Sequence, residues 1–209
     1  MAEPILVPQS AFGNIAVADA GRGVTVSDRD GLGVATVLVR NGQADALAAR
    51  VKEAFGIDLP RGPRRAASGG VAFAGTGPEA WLAVAENGGN AFAASLKEGL
   101  GDQAAVVDQS DGYAVLRLSG PRVREALAKG VSLDLHARAF AVGDVAATIV
   151  SHIGATLWRL DDGKDGSPVF ELVVFRSLAG SLWHWLSESS AEFGLTIAPP
   201  DQVASLNDR

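Results

Sequence analysis

The sequence predicts an α+β fold in which two tandem β-α-β-β-α-β (ferredoxin-like) units form one pseudo-symmetric body. Two observations support this prediction. Short apolar runs rich in β-branched residues alternate with segments whose apolar residues recur at helical spacing. The same order of strands and helices then occurs twice, in units of about residues 32–111 and 112–196. Two such units can pair with their helices on the outer faces of antiparallel sheet.

The two ends of the chain are predicted to lie outside this body, which spans residues 31–196. Residues 1–30 lack sustained periodicity and contain Pro4, Pro8 and several glycines, which favours an extended N-terminal arm. Residues 197–209 are mostly polar, which predicts a frayed tail.

The first unit opens with a strand and a helix. The run Val34–Val39 is apolar and β-branched, as expected of a buried strand. Apolar residues at helical spacing predict an amphipathic helix over residues 44–55, and Gly56 stands where a left-handed cap would end it.

The first unit then continues to a fourth strand. Asn90 stands at the position of a helix N-cap, and Gly101 stands where that helix would end. The remaining predicted elements are a loop over 60–70, strands Val71–Ala74 and Trp81–Ala85 joined by a Gly75–Pro78 turn, and a strand over 104–107.

The second unit repeats this order with one strand broken. Pro121 stands at the first position of a predicted two-turn helix, which ends at Gly130. Residues 131–140 show no clear hydrophobic periodicity. The closing helix is expected over 178–193, with Leu182, Trp185 and Leu186 on its core stripe. The predicted strands are Tyr113–Leu118, Ala146–Ile153, Ala155–Leu160 and Val169–Phe175.

Composition narrows the classes of function. The 209 residues are 47% hydrophobic and 20% charged, with a net charge of −6 and no cysteine. The absence of cysteine excludes disulfides and thiolate chemistry, and the chain lacks an apolar run of membrane-spanning length or a recognisable secretory signal, so we expect a cytoplasmic protein. Arg61, Arg64 and Arg65 form the one dense basic run, interpreted as a solvated loop or a protein contact and not as a nucleic-acid site.

Histidines and aromatic residues are the candidate site residues. His136 follows Asp134 at a spacing that two metal ligands can share, but no further ligand accompanies them, so a structural or interface role is the stronger interpretation. His152 is expected to be a core histidine in an apolar strand. Trp183 lies off the predicted core stripe, so it is either covered by a loop or presented to a partner.

Sequence motifs for nucleotide binding or nucleophilic catalysis are absent. The chain has no G-x-G-x-x-G or G-x-x-x-x-G-K-[ST] loop, and Ser119 lacks the G-x-S-x-G elbow. We therefore expect no catalytic, cofactor-binding or metal-binding residue in this chain.

Three segments carry a resemblance to a known family. They are LRLSGPRVREALAKGVSLDLHARAF, ATIVSHIGATLWRLDD and FELVVFRSLAGSLWHWL, and upstream VRNGQADALAARVKEAFGIDLP and GPEAWLAVAE add to them. Together they resemble the gamma subunit of heterotetrameric sarcosine oxidase over roughly residues 24–193. The resemblance implies a fold related to folate-binding aminomethyltransferases, which agrees with the doubled order of elements.

The resemblance also implies a function. The complex would be a flavoenzyme that oxidatively demethylates sarcosine to glycine, with this chain as a non-catalytic gamma subunit beside alpha, beta and delta subunits. FAD, FMN, NAD, tetrahydrofolate and zinc would be bound in those partners. Alternatives are a gamma-type subunit of a related N-methylglutamate dehydrogenase, a stand-alone folate-dependent one-carbon transferase, and a small-ligand or interaction module with unrelated partners.

Contacts with partner subunits are predicted at four places. These are residues 1–30, the segment Leu133–Phe140 with Asp134, His136 and Phe140, and two residues near the C-terminal helix, Arg176 and Trp183.

Overall fold

The computed structural model describes residues 9–13 and 21–199 of the chain. Its helices are α1 (Ala44–Phe55), α2 (Ala91–Leu100), α3 (Val123–Ala128) and α4 (Ala179–Ser190). Its strands are β1 (Val24–Asp28), β2 (Gly33–Val39), β3 (Arg65–Ser68), β4 (Val71–Gly77), β5 (Ala80–Ala85), β6 (Ala104–Asp108), β7 (Tyr113–Ser119), β8 (Val145–Val150), β9 (Ile153–Leu160), β10 (Val169–Phe175) and β11 (Leu195–Ala198). Among the described residues, no helix is both long enough and apolar enough to cross a bilayer.

The strands form two sheets. The N-sheet has the order β3-β4-β5-β2-β6, and all its neighbouring strands are antiparallel. The C-sheet has the order β11-β1-β7-β10-β9-β8, antiparallel except for the parallel pair β1–β11. The edge strand β3 of the N-sheet is additional to the predicted pattern, whereas the edge strand β8 of the C-sheet falls largely within the predicted strand Ala146–Ile153.

Helices α1 and α2 cover the outer face of the N-sheet. Leu47 and Val51 of α1 and Phe92 and Leu96 of α2 are buried there with Phe73 of β4. Gly56 ends α1 with a left-handed φ of 69°, as predicted. Asn90 precedes α2 but makes no side-chain cap, because its amide Nδ2 donates instead to Asp111 Oδ2 at 3.3 Å.

Strand β1 departs most from the predicted organisation. It lies between β11 and β7, and Val24 and Val26 are fully buried. It occupies the position beside β7 that β6 occupies beside β2 in the N-sheet. The predicted N-terminal arm is therefore wrong for Val24–Asp28, because these residues complete the sheet of the second half.

The remainder of the predicted arm and tail is only partly described. Residues 1–8, 14–20 and 200–209 lie outside the described residues. The body does not end at residue 196, because β11 continues to Ala198. The predicted loop over 60–70 contains β3, whose residues Arg65–Ser68 pair with Val71–Ala74 of β4.

The β8–β9 hairpin corrects the interpretation of His152. The two strands are joined by two residues, Ser151 and His152, whose φ angles are 45° and 75°. Two positive φ angles in a two-residue hairpin are the geometry of a type I′ turn. His152 is exposed at this turn and is not a core residue.

The two sheets pack against each other and also join at one edge. Arg65 N donates to Gly143 O at 2.7 Å, and Val145 N donates to Pro63 O at 2.9 Å, so the start of β3 meets the start of β8. The apolar contact between the sheets is formed by Leu32, Val34, Ala74, Leu82, Val84, Val115, Val145, Trp158 and Val173.

Helices α3 and α4 cover the outer face of the C-sheet. Leu127 of α3 and Leu182 and Leu186 of α4 are fully buried in this core. A Cβ at Gly130 would lie 2.5 Å from Cζ2 of Trp185, so a glycine at this position allows the indole to lie against the end of α3.

Candidate functional site

A cluster of charged side chains is buried between the two sheets. Glu171 of β10 is 3% exposed, and its Oε1 accepts from Arg117 Nε at 2.9 Å, from Arg117 Nη2 at 2.6 Å and from Arg29 Nε at 3.2 Å. Trp158 Nε1 donates to the other oxygen, Oε2, at 2.7 Å. Both oxygens of this buried carboxylate are therefore held by donors from other elements.

Glu86 and Arg65 extend this inter-sheet charge cluster. Glu86, which follows β5, is ion-paired with Arg29, and its Oε1 lies 3.9 Å from Arg117 Nη2. The side chain of Arg65 enters from β3, and its Nε is buried without a hydrogen-bond partner among the described residues. Burial lowers the pKa of Arg65, and the carboxylate of Glu171 opposes that effect.

Glu171 is ionised in this setting. Its burial alone would raise the pKa, but the positive charges of Arg117, Arg29 and Arg65, with the hydrogen bond from Arg117, hold the pKa below its ordinary value. The cluster is therefore a charged connection between β7, β10 and the residue that follows β1.

A larger cavity of about 540 Å³ lies on the N-sheet half of the molecule. Trp81 lines it and is fixed by the hydrogen bond from its Nε1 to Pro60 O at 2.9 Å. Most of its other lining is apolar, with Leu59, Pro63 and Pro78 among the lining residues. Among the charged residues of its lining, Arg61 and Asp45 form an exposed ion pair of 3.6 Å.

An exposed apolar strip lies on the C-sheet, on the face that continues from the inter-sheet core. Ile149 is 61% exposed and Phe175 is 54% exposed. The ring of Tyr113 stacks on Phe175 with centroids 5.2 Å apart. Val173 and Thr156 lie on the same face, between this aromatic pair and β8.

The predicted contact segment Leu133–Phe140 divides into exposed and buried residues. Asp134 and His136 are exposed in one turn, where Asp134 Oδ1 accepts from His136 N at 2.9 Å. Phe140 is 7% exposed, and its ring lies 6.4 Å from that of Phe170 in the core of the C-sheet. Burial therefore removes Phe140 from the predicted contact surface.

The other two predicted contacts lie elsewhere. Arg176, directly after β10, is half-buried and donates from Nη2 to Gln9 O. Trp183 of α4 is partly buried against the core of the C-sheet, which leaves part of the indole accessible. Apart from the hydrogen bond from His136 N to Asp134 Oδ1, no hydrogen bond or ion pair in the described part of the chain joins Asp134, His136, Arg176 and Trp183 to one another.

Metal-ligand geometry gives no support to a site at Asp134 and His136. Within the ranges that the structure describes, no three His, Asp or Glu residues are grouped closely enough to hold a metal ion.

Sequence reasoning missed the inter-sheet charge cluster. The signal that could have found it is a charged residue inside an apolar strand: Arg117 in YAVLRLS and Glu171 in VFELVVF. These opposite charges are cross-strand partners in the β7–β10 pairing. The sequence places Arg65 in a solvated loop or a protein contact, whereas in the described fold it is half-buried in β3 beside this cluster.

The fold is that of the aminomethyltransferases. The glycine cleavage system aminomethyltransferase T from Bartonella henselae matches 86% of this chain and 48% of that chain, with a TM-score of 0.60. At 15% identity this likeness shows a shared fold, and it confirms the expected α+β, aminomethyltransferase-like body.

The sequence relatives give the family. Residues 40–192 match the model of the sarcosine oxidase gamma subunit family, and this chain belongs to that family. A sarcosine oxidase subunit gamma from Arthrobacter sp. is 36% identical over 69% of this chain and 70% of its own length. The same subunit from Corynebacterium sp. strain P-1 is 34% identical over the same shares.

A solved complex contains a chain of the same shape. In the heterotetrameric sarcosine oxidase from Corynebacterium sp. U-96 with pyrrole 2-carboxylate, one chain is 28% identical to this one. The match covers 85% of this chain and 88% of that chain, with a TM-score of 0.70.

Proposed function

We propose that this chain is the non-catalytic gamma subunit of a heterotetrameric, flavin-dependent sarcosine oxidase that demethylates sarcosine to glycine. The observation that carries the proposal is the match to a chain of a heterotetrameric sarcosine oxidase over 85% of this chain and 88% of that one. The subunit gamma relatives, which this chain matches over 70% of their length, point to the same role.

The role of the chain is proposed to be structural within the complex. The buried charged groups of Glu171 and Arg117 bind each other, and the wall of the large cavity is mostly apolar. The family resemblance assigns FAD, FMN, NAD, tetrahydrofolate and zinc to the alpha, beta and delta subunits. The complex is proposed to be cytoplasmic, as expected from the sequence.

The first experiment is to isolate the chain from its native cell through a tag and to record the absorbance spectrum of the eluate. Larger subunits with bound flavin, and sarcosine-dependent reduction of that flavin, are the expected result. A colourless chain that elutes alone would contradict the proposal. Reduction by N-methylglutamate and not by sarcosine would assign the complex to the related dehydrogenase.

Contacts with partner subunits are proposed at Asp134, His136, Arg176 and Trp183. Asp134 and His136 offer the most direct test, because both are exposed and neither belongs to the core. A variant carrying Asp134→Ala and His136→Ala is expected to keep the Tm of the free chain and to recover fewer partner subunits. A matched variant on α1, Lys52→Ala with Glu53→Ala, should recover them at wild-type level.

A stand-alone folate-dependent transferase has no comparable support, because the aminomethyltransferase likeness is 15% identical and shows the fold alone. Titration of the free chain with tetrahydrofolate tests this alternative directly, and saturable binding would revive it.

A further inference from the structure

One positive charge in the inter-sheet charge cluster is not compensated. Within the described residues, the guanidinium groups of Arg29, Arg65 and Arg117 face two carboxylates, those of Glu86 and Glu171. Arg29 and Arg117 bind these carboxylates, whereas Arg65 makes no ion pair within the described residues. Arg65 is half-buried, and its Nε is buried without a partner in the described part of the chain, so a negative group placed beside it would be favourable.

A cavity lies beside the unpaired guanidinium. It has a volume of about 70 Å³, and Arg29, Arg65, Glu86 and Glu171 contribute to its lining. A water molecule needs about 10–15 Å³ of such space, so the cavity has room for a small ion and water. Its lining also includes Ala67 and Gly70, which are exposed, so the cavity can be reached from outside the molecule.

We propose that this cavity binds a monovalent anion, chloride or a carboxylate group, with Arg65 as its principal ligand. The planar guanidinium donates several hydrogen bonds in a geometry that suits a carboxylate. Glu86 and Glu171 line the same cavity and would repel a more highly charged anion. One uncompensated positive charge matches one negative charge.

The negative group bound by Arg65 can come from two sources: a free anion in solution, or an Asp or Glu side chain of a partner subunit. Only the second source rests on the proposed function. The experiment therefore has one arm on the free chain and a second arm on the assembled complex.

The first arm measures the Tm of the free chain and chloride NMR line widths while chloride or acetate replaces isethionate at constant ionic strength. At an anion concentration ten times Kd, a Tm increase of about 3–6 °C is expected for a chain of this size. Arg65→Gln should abolish the increase and the chloride line broadening. Arg64→Gln is the matched control. Arg64 is the preceding residue in the chain, and its side chain is 52% exposed and paired with Asp144.

Arg65→Gln also separates a ligand-binding role from a structural one. In isethionate this variant should melt close to wild type, because the loss of the attraction between Arg65 and Glu171 is offset by the removal of a half-buried guanidinium that makes no ion pair within the described residues. A large loss of Tm in isethionate would indicate that Arg65 stabilises the chain without an anion, contrary to the proposal.

The second arm repeats the measurement in the complex. A retained anion response identifies a free anion as the ligand. A response that is lost on assembly, with assembly of Arg65→Gln weakened about tenfold or more, identifies a partner carboxylate. If the wild type and Arg65→Gln respond alike to anions and assemble alike, the site does not exist. If the chain has no partners but its anion response depends on Arg65, the proposed function fails and the anion site stands.

Discussion

Glu171 is the carboxylate on which the pairing of Arg29 and Arg117 depends. Glu171→Gln keeps the shape of the side chain and an oxygen for the Trp158 indole, but it leaves the two arginines without their buried counter-charge. Breaking a buried ion pair from one side costs about 3–5 kcal/mol. We expect a loss of this size in the free energy of unfolding, measured by urea titration.

The control for this prediction is Glu53→Gln. Glu53 also pairs with an arginine, Arg50, but its side chain is 72% exposed. Exposed pairs of this kind contribute about 0–1 kcal/mol. Equal losses for the two variants would show that burial does not determine the strength of the Glu171 interactions.

The acid stability of the chain depends on the same residue. The folded-state pKa of Glu171 lies below its ordinary value of about 4.5, so the unfolded chain binds this proton more readily. The stabilisation is complete above the unfolded pKa and is lost as the pH falls through the folded pKa. Asp28 acts in the opposite direction, because burial raises its pKa.

The predicted result is a difference between two pH profiles. The free energy of unfolding of the wild type should decline more steeply below about pH 4.5 than that of Glu171→Gln, because only the wild type has this carboxylate. The contribution of Asp28 is common to both proteins and cancels. Parallel profiles would mean that the pKa of Glu171 is not lowered in the folded state.

The apolar core residues of the C-sheet are more predictable from the sequence than the charged residues of the inter-sheet charge cluster. Leu182 and Leu186 follow directly from helical spacing and are buried as expected. Arg65 and Glu171 were not recognised, because their burial depends on partners from β1, β7 and β10 that local spacing does not identify. Trp183 is intermediate between the buried leucines and the charged residues, because the core of the C-sheet covers only part of its indole.

Among the elements, β1 depends on a close approach of backbone to backbone. A Cβ at Gly23 would lie 1.9 Å from the carbonyl oxygen of Phe193, at the start of the β1–β11 pairing. Gly23→Ala must push these segments apart. We expect a loss of about 1–3 kcal/mol or more in the free energy of unfolding, as for other overpacked sites.

The same substitution at Gly99 provides the comparison. Gly99 lies in α2, and a Cβ there would meet nothing within 4 Å. Because alanine favours a helix over glycine, Gly99→Ala should stabilise the chain by about 0.5–1 kcal/mol. The measurement is the change in the free energy of unfolding of each variant, and the two changes should have opposite signs. A Gly23→Ala variant with unchanged stability would show that β1 is not held closely against β11.

Elements with strong local patterns were predicted, and elements defined by distant pairing were not. The strand β2, the helix α1 and the strand β10 follow from apolar runs and helical spacing. The strands β1, β3 and β11 have only five, four and four residues and carry weaker patterns. Their hydrogen-bond partners, and not their own composition, make them strands.

The whole molecule is expected to unfold in one transition although it has two sheets. The inter-sheet core includes Leu82 and Trp158, and backbone hydrogen bonds join Arg65 to Gly143 at the sheet edges. Calorimetric and van't Hoff enthalpies should therefore agree. Gly99→Ala, although it lies in the first half, should shift the complete transition, and two resolved transitions would contradict this expectation.

The position of β1 also affects the order in which the chain can fold during synthesis. Val24 and Val26 leave the ribosome early, but their strand partners include Leu118 and Leu195. At about 5–20 residues per second, the growing polypeptide carries an unpaired apolar strand for several seconds. The C-sheet is complete only when β11 has left the ribosome, so a nascent chain offers chaperones an early apolar segment, and subunits can assemble on a finished sheet only after that point.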